Sequence, residues 1–302
     1  MVIETWRWTQ KQDIGPSPRA AFSMAYDSNA KKVVLFGGIT SPGGMSDTWE
    51  WDDDIWTQVA DMGPSVRIYP SMAYDSNSKK IILFGGATNT GFANDTWEWD
   101  GTEWTQVADT GPPPRTGHKI VYDSDNNKIV LFGGLDGTIS MNDTWEWDGT
   151  EWTQVADTGP SVRAVQSMIY DSTEKVIVLF GGFDQYSTPE TLFGDTWKFK
   201  DHTWTKVSDM GPVPTLIGDM VYTGKRSIFF GGLDDLTTTH ISGDTWEWNG
   251  SLWIQRENMG PLPRASHSMA YDVDRNVAVL FGGTDGPNLL GDTWELKIQV
   301  KA

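Results

Sequence analysis

Six times along the chain an apolar run ends in a pair of glycines. The first reads Lys31-Lys32-Val33-Val34-Leu35-Phe36-Gly37-Gly38, and its copies close at Gly85-Gly86, Gly133-Gly134, Gly181-Gly182, Gly231-Gly232 and Gly282-Gly283. The period between first glycines, at 37, 85, 133, 181, 231 and 282, is 48 to 51 residues, which signals an array of like units. One unit, residues 67–112, holds four strand-like stretches divided by Asp, Asn, Gly and Pro, and no helical periodicity long enough to compete. Its second strand, around Ile81–Phe84, has no polar face, so both sides are expected to be buried. In its third strand Trp97 and Trp99 share a face. Each indole can bury roughly 150–250 Å², worth several kcal/mol as an upper bound at about 25 cal/mol/Å². A sheet covered on both faces needs a neighbour on each side, and six sheets set radially supply one another. The predicted fold is all-β: a six-bladed β-propeller of four-stranded antiparallel blades.

The chain ends predict how the ring closes. The sixth unit stops at Ala302 without a fourth strand, while Thr5-Trp6-Arg7-Trp8-Thr9-Gln10 matches Trp56-Thr57-Gln58 and its copies. The N-terminal strand is therefore expected to complete the C-terminal blade and remove an open sheet edge. A linear solenoid would want polar end caps, which this chain lacks. One domain over 1–302 is expected, with blades near 15–61, 63–109, 111–157, 159–209, 211–258, and 260–302 joined by 4–10.

The glycine pair, the first-strand tyrosines (Tyr26, Tyr74, Tyr122, Tyr170, Tyr222, Tyr271) and the fourth-strand tryptophans (Trp56, Trp104, Trp152, Trp204, Trp253, with Trp8 as the sixth) resemble the Kelch repeat family over all six units. The proline-led entry to the first strand at Arg19, Arg115 and Arg264 is also Kelch-like. The resemblance implies a six-bladed propeller whose first strand is innermost. Trp-Asp pairs at Trp51, Trp99 and Trp147 imitate another repeat class, but the period is too long and its Gly-His partner is missing.

Charge and composition narrow the function. The 302 residues carry 41 acidic and 23 basic side chains, a formal charge of -18, which favours solubility and disfavours nucleic acid or anionic membrane as partners. With no cysteine, disulfides, thiolate metal sites and cysteine nucleophiles are excluded, and the compartment is left open. No twenty-residue apolar span and no signal peptide is visible, so a soluble protein is expected, with a monomer as its expected state.

Alternating strands put the loops after each glycine pair on the same rim as the segments leading into each first strand. Those loops differ from blade to blade, and the two longest belong to adjacent blades four and five, with Tyr186, Phe193 and His240. The first-strand entries carry Arg19, Arg67, Arg115, Arg163 and Arg264, with Thr215 as the gap; Tyr69 follows Arg67 by two. Three positions after the five arginines and Thr215 stand Phe22, Pro70, His118, Gln166, Gly218 and His267. Two readings of the arginines compete. They form a ring of planar donor forks that captures anions, as the Kelch resemblance implies from adaptors that grip acidic peptides. Or each pairs with a local carboxylate such as Asp47, Asp95 or Asp143.

His118 and His267 occupy equivalent places in opposite blades, but no third ligand accompanies them, so no metal is expected. No nucleophile elbow, phosphate loop or zinc signature occurs, so no cofactor is expected. Glu190, beside this rim, is one candidate acid for a relative of the sialic acid mutarotases, a Kelch-like enzyme class. The expectation is a non-catalytic module binding a protein, a peptide or another anionic ligand at Arg19, Arg67, Arg115, Arg163, Arg264, Tyr69, His118, Gln166, Tyr186, Phe193, His240 and His267. The alternative is a carbohydrate-binding or carbohydrate-active propeller, which would place an exposed aromatic beside convergent carboxylates; a peptide receptor would show unpaired arginines.

Overall fold

Each apolar run becomes the second strand of a four-stranded antiparallel sheet in the structure, a computed structural model that describes residues 3–11, 14–236, 240–256 and 259–301. Val34, Leu35 and Phe36 in Lys32–Phe36 are fully buried, as are their copies, because this strand has a sheet neighbour on both edges and a blade on both faces. Five sheets run in chain order from the inside outward. The sixth is assembled from both ends: Ile3–Gln10 pairs antiparallel with Thr293–Lys301, setting Trp8 opposite Leu296. The first strands form the inner ring, Ser23–Asp27 packing against both Ser71–Asp75 and Ser268–Asp272.

Three tiers of hydrogen bonds tie each blade to the next, and every tier closes. On the outside, each fourth-strand indole donates to a buried threonine of the preceding blade, Trp104 to Thr48 and Trp152 to Thr96 at 2.8 Å. The last links of that circle are Trp56 to Thr293 at 2.8 Å and Trp8 to Thr245 at 3.2 Å, so Trp8 is the sixth copy. Nearer the axis, the second glycine of each pair donates its N–H to the following blade's Arg-position carbonyl, Gly134 to Arg163 at 2.9 Å and, across the closure, Gly283 to Arg19 at 2.9 Å. This is why a glycine pair is needed: both residues are left-handed, and a Cβ on Gly133 would sit 2.7 Å from the Arg163 oxygen.

The innermost tier was not legible in the sequence. Ala21, Tyr69, Gly117, Val165, Ile217 and Ser266 all adopt positive φ, and the N–H of each bonds to the carbonyl of the one before, from Ala21 to the Ser266 oxygen around to Ser266 on the Ile217 oxygen, at 2.7–3.3 Å. A left-handed Val or Ile is strained, and the closed circle of bonds holds it there.

Hydrophobic clusters fill the spaces between blades. Blade five departs from the repeat in a compensated way. Gly218 stands where others carry a side chain, and Phe229 where others carry leucine; a Cβ on Gly218 would lie 2.4 Å from the Phe229 ring, which packs on Phe180 at 5.1 Å. Among the described residues no helix is long and apolar enough to cross a membrane.

Candidate functional site

The arginines expected to ring the channel mouth are turned into their own blades. Arg19, Arg115, Arg163 and Arg264 are 0% exposed and Arg67 is 3% exposed. Arg115 grips Asp143 with both terminal nitrogens at 2.6 and 2.8 Å, gives a further bond to the Gly133 carbonyl at 3.0 Å and donates Nε–H to Pro113 O at 3.0 Å. Arg19 and Arg264 repeat this fork on Asp47 and Asp292, and Arg163 on Asp195. Arg67 reaches Asp95 through one nitrogen at 2.6 Å. The same carboxylates accept from the tryptophan two residues on, as Trp145 Nε1 does to Asp143 at 2.7 Å. Burial works to raise Asp143, but the bonds and charge of Arg115 outweigh it and hold the carboxyl below its usual range. Of the two readings of the arginines, the local pair describes this geometry, since the Asp-Thr-Trp carboxylate engages each of the five guanidiniums from within its own blade.

The positions three beyond the arginines are wedges between blades. His118 is 2% exposed, stands edge-on to Phe84 of the preceding blade at 5.3 Å, and places Nε2 3.1 Å from the Phe84 carbonyl. Gln166 makes the same contact through Nε2 to Phe132 O at 2.9 Å, and His267 lies 5.6 Å from the Phe230 ring. Burial pushes both histidines down to about 3, with the charges of Arg115 and Arg264 adding to it. Unfolded, they titrate near 6.5, so between those values the unfolded chain binds more protons. Their stability contribution is therefore complete above pH 6.5 and is lost as pH falls toward 3. Calorimetry is expected to show stability falling by up to about 1.4 kcal/mol per pH unit for each histidine between about pH 6 and 5, before ordinary carboxylates begin to protonate in quantity. His118→Gln with His267→Gln, the residue blade four uses here, should flatten that slope. An unchanged slope in the double variant would overturn the assignment.

Two members of the collar also meet through their side chains: the Tyr69 hydroxyl lies 2.6 Å from Ser266 Oγ, joining blades two and six past blade one. The collar encloses about 40 Å³, and the channel behind it about 250 Å³ lined by the six inner strands. An ion pair that sequence reading missed crosses this channel. Lys119 Nζ is 2.8 Å from Asp219 Oδ1, while Asp219 Oδ2 accepts from Met269 N at 2.8 Å and Ser268 Oγ at 3.2 Å. The other four blades start this strand with serine, so comparing the units position by position would have found the pair.

The outward-facing chemistry lies in the loops after the glycine pairs. In blade four Phe183–Asp184 and Thr191–Leu192 form an extra hairpin carrying exposed Tyr186 at its turn; Glu190 is exposed beside it. Blade two builds a shorter one from Ala87–Thr88 and Gly91–Phe92. Phe193 is half-buried and stacks on Arg163, 3.9 Å from ring centre to guanidinium. His240 Nδ1 lies 2.6 Å from the Asp234 carboxylate. Residues 237–239 of the blade-five loop lie outside the described residues. Among the described residues no group of three or more metal-ligating side chains converges.

Residues 52–286 match the family model described as the Attractin/LZTR1 β-propeller, a Kelch-type propeller family. No curated protein matches the chain.

Proposed function

This chain belongs to the Attractin/LZTR1 β-propeller family, whose propellers are generally protein-interaction modules, and on that premise we propose that it binds a protein or peptide on the rim carrying the loops after the glycine pairs. One contrast supports this most. The arginines, glycine pairs and outer tryptophans repeat one set of contacts around the ring, whereas the loops after the glycine pairs differ in sequence from blade to blade and are longer in blades four and five than in the other four. Residues that every blade needs are scaffold, and variable exposed loops on a rigid frame are where binding specificity is built. Blades four and five carry the longest of these loops and present Tyr186 and His240. With the five guanidiniums engaged internally, recognition rests on these loops and on the acidic surface around them.

The test is a peptide-display selection against the intact protein, run beside a glycan array. Selected peptides are expected to lose at least tenfold in affinity with Tyr186→Ala or His240→Ala, since exposed aromatic anchors carry a large share of interface energy. They should be indifferent to Thr150→Ala in a turn of the opposite rim. Binders mapping to that opposite rim, or glycans alone as binders, would refute the proposal.

A further inference from the structure

Blade five lacks the pair that the other five blades make, and lacks it at three positions. Thr215 replaces the arginine, and its hydroxyl donates to Val213 O, the counterpart of the Pro113 carbonyl that accepts Nε–H from Arg115. Asp244, the counterpart of Asp143, keeps its backbone place: Gly231 N donates to Asp244 O at 3.2 Å, matching Gly133 N to Asp143 O at 3.3 Å. Its side chain, however, is exposed, and among the described residues it has no cation and no indole donor, although Trp246 stands two residues on. The Gly231 carbonyl, counterpart of the Gly133 oxygen, likewise receives no donor among the described residues. The third change is in the cover. The residue two before each aspartate is Met45, Ala93, Met141, Phe193 or Leu290 in the other blades, and Phe193 stacks on its arginine; in blade five it is Ser242.

We propose that this vacancy is a receptor for a guanidinium group presented by the partner, an arginine side chain of a protein or peptide. The proposal rests on the rim reading above and adds the chemistry of the ligand. The remaining acceptors, a carboxylate and a glycine carbonyl, are those that hold the terminal guanidinium nitrogens in four other blades. A fork of parallel donors fits them, whereas an ammonium acts as a point charge and gains no geometric advantage. The net charge of -18 steers a cationic ligand toward the surface. Because Asp244 is exposed, the incoming group is partly solvated, and one residue alone should bind on the order of a millimolar.

Titration of the intact protein with N-acetyl-arginine amide, followed by NMR, is expected to give saturable shifts at the Trp246 indole and the Asp244 amide. The citrulline analogue, isosteric and neutral, should give none, and the lysine analogue should bind several-fold more weakly. Asp244→Asn should weaken arginine binding at least tenfold. Thr215→Arg, which installs the missing internal partner, should abolish it while the melting temperature holds or rises. The proposal is overturned by the absence of saturable shifts, by equal binding of the lysine analogue, or by undiminished binding in Thr215→Arg. The two readings can fail separately. Display-selected peptides that need Tyr186 but ignore Asp244→Asn and Thr215→Arg overturn only the guanidinium slot. Arginine amide seated at Asp244 while selected peptides map to the opposite rim supports the slot and overturns the rim as the partner surface.

Discussion

Removal of residues 3–10 is expected to abolish the cooperative thermal transition and send the chain into aggregates. These residues supply the fourth strand of blade six, and their loss strips the long strand Thr293–Lys301 of its outer partner along eight residue pairs. An exposed strand of that length is a template for pairing with other chains. The deletion also takes away Trp8, 5% exposed, whose ring lies 5.2 Å from Phe230 and whose indole closes the outer circle of hydrogen bonds on Thr245. Trp8→Ala alone should cost about 3–5 kcal/mol. A chain of 302 residues unfolds with an entropy of about 2.1 cal/mol/K per residue, so that cost lowers the melting temperature by about 5–8 °C. The full deletion should do far more, because it removes the whole outer strand of blade six together with the link that closes the outer tier, and leaves only the two inner tiers to hold the ring. Adding the 3–10 segment back as a synthetic peptide should restore part of the transition by strand addition. Scanning calorimetry and size-exclusion chromatography read both outcomes. A truncated chain melting within two or three degrees of the full one would show that closure contributes little.

That closure was legible in the sequence because the repeat is nearly exact: Trp8-Thr9-Gln10 copies Trp56-Thr57-Gln58, and a missing strand at one end matches a spare one at the other. The collar was not, because only Gly117 among its six members signals a left-handed backbone. Val165 and Ile217 argue against it locally, and a circle of bonds between residues about fifty apart overrides their preference. Lys119 and Asp219 are 100 residues apart and meet only because the ring sets blades three and five on one channel. The arginine direction was undecidable from spacing alone, since a side chain at that entry can point to the axis or back to the Asp-Thr-Trp carboxylate 28 residues on. For the candidate site, the sequence identified the variable loops but not their inner hairpins. The vacancy at Thr215 appeared as a gap in a ring; its meaning needed the other five pairs as a template.

Arg115→Ala is expected to lower stability by about 3–5 kcal/mol, about 5–8 °C in melting temperature, because it leaves Asp143 largely buried without its counter-charge. Asp143 side-chain exposure is 17% and that of Arg115 is 0%, so solvent replaces little of what is lost. The double variant Arg115→Leu with Asp143→Leu should recover much of the deficit, since a buried pair replaced by apolar groups is often close to neutral. Blade five makes the same point within the molecule: it folds without the pair, because Thr215 removes the cation and Asp244 turns its carboxylate to solvent. The effect of pH follows the depressed carboxylates. Asp47, Asp143, Asp195 and Asp292 all lie below their ordinary value in the folded chain; burial opposes that shift and the paired arginines overcome it. Their contribution is therefore present above about pH 4 and is lost as pH falls through the folded values, a second acid phase below the histidine phase. Arg115→Ala should shrink that second phase and keep the onset of the histidine phase, which burial of the two imidazoles sets first and the Arg115 charge only reinforces at His118. If instead the variant melted like the parent while binding anions less well, the guanidinium would belong to a ligand site and the scaffold role would fall.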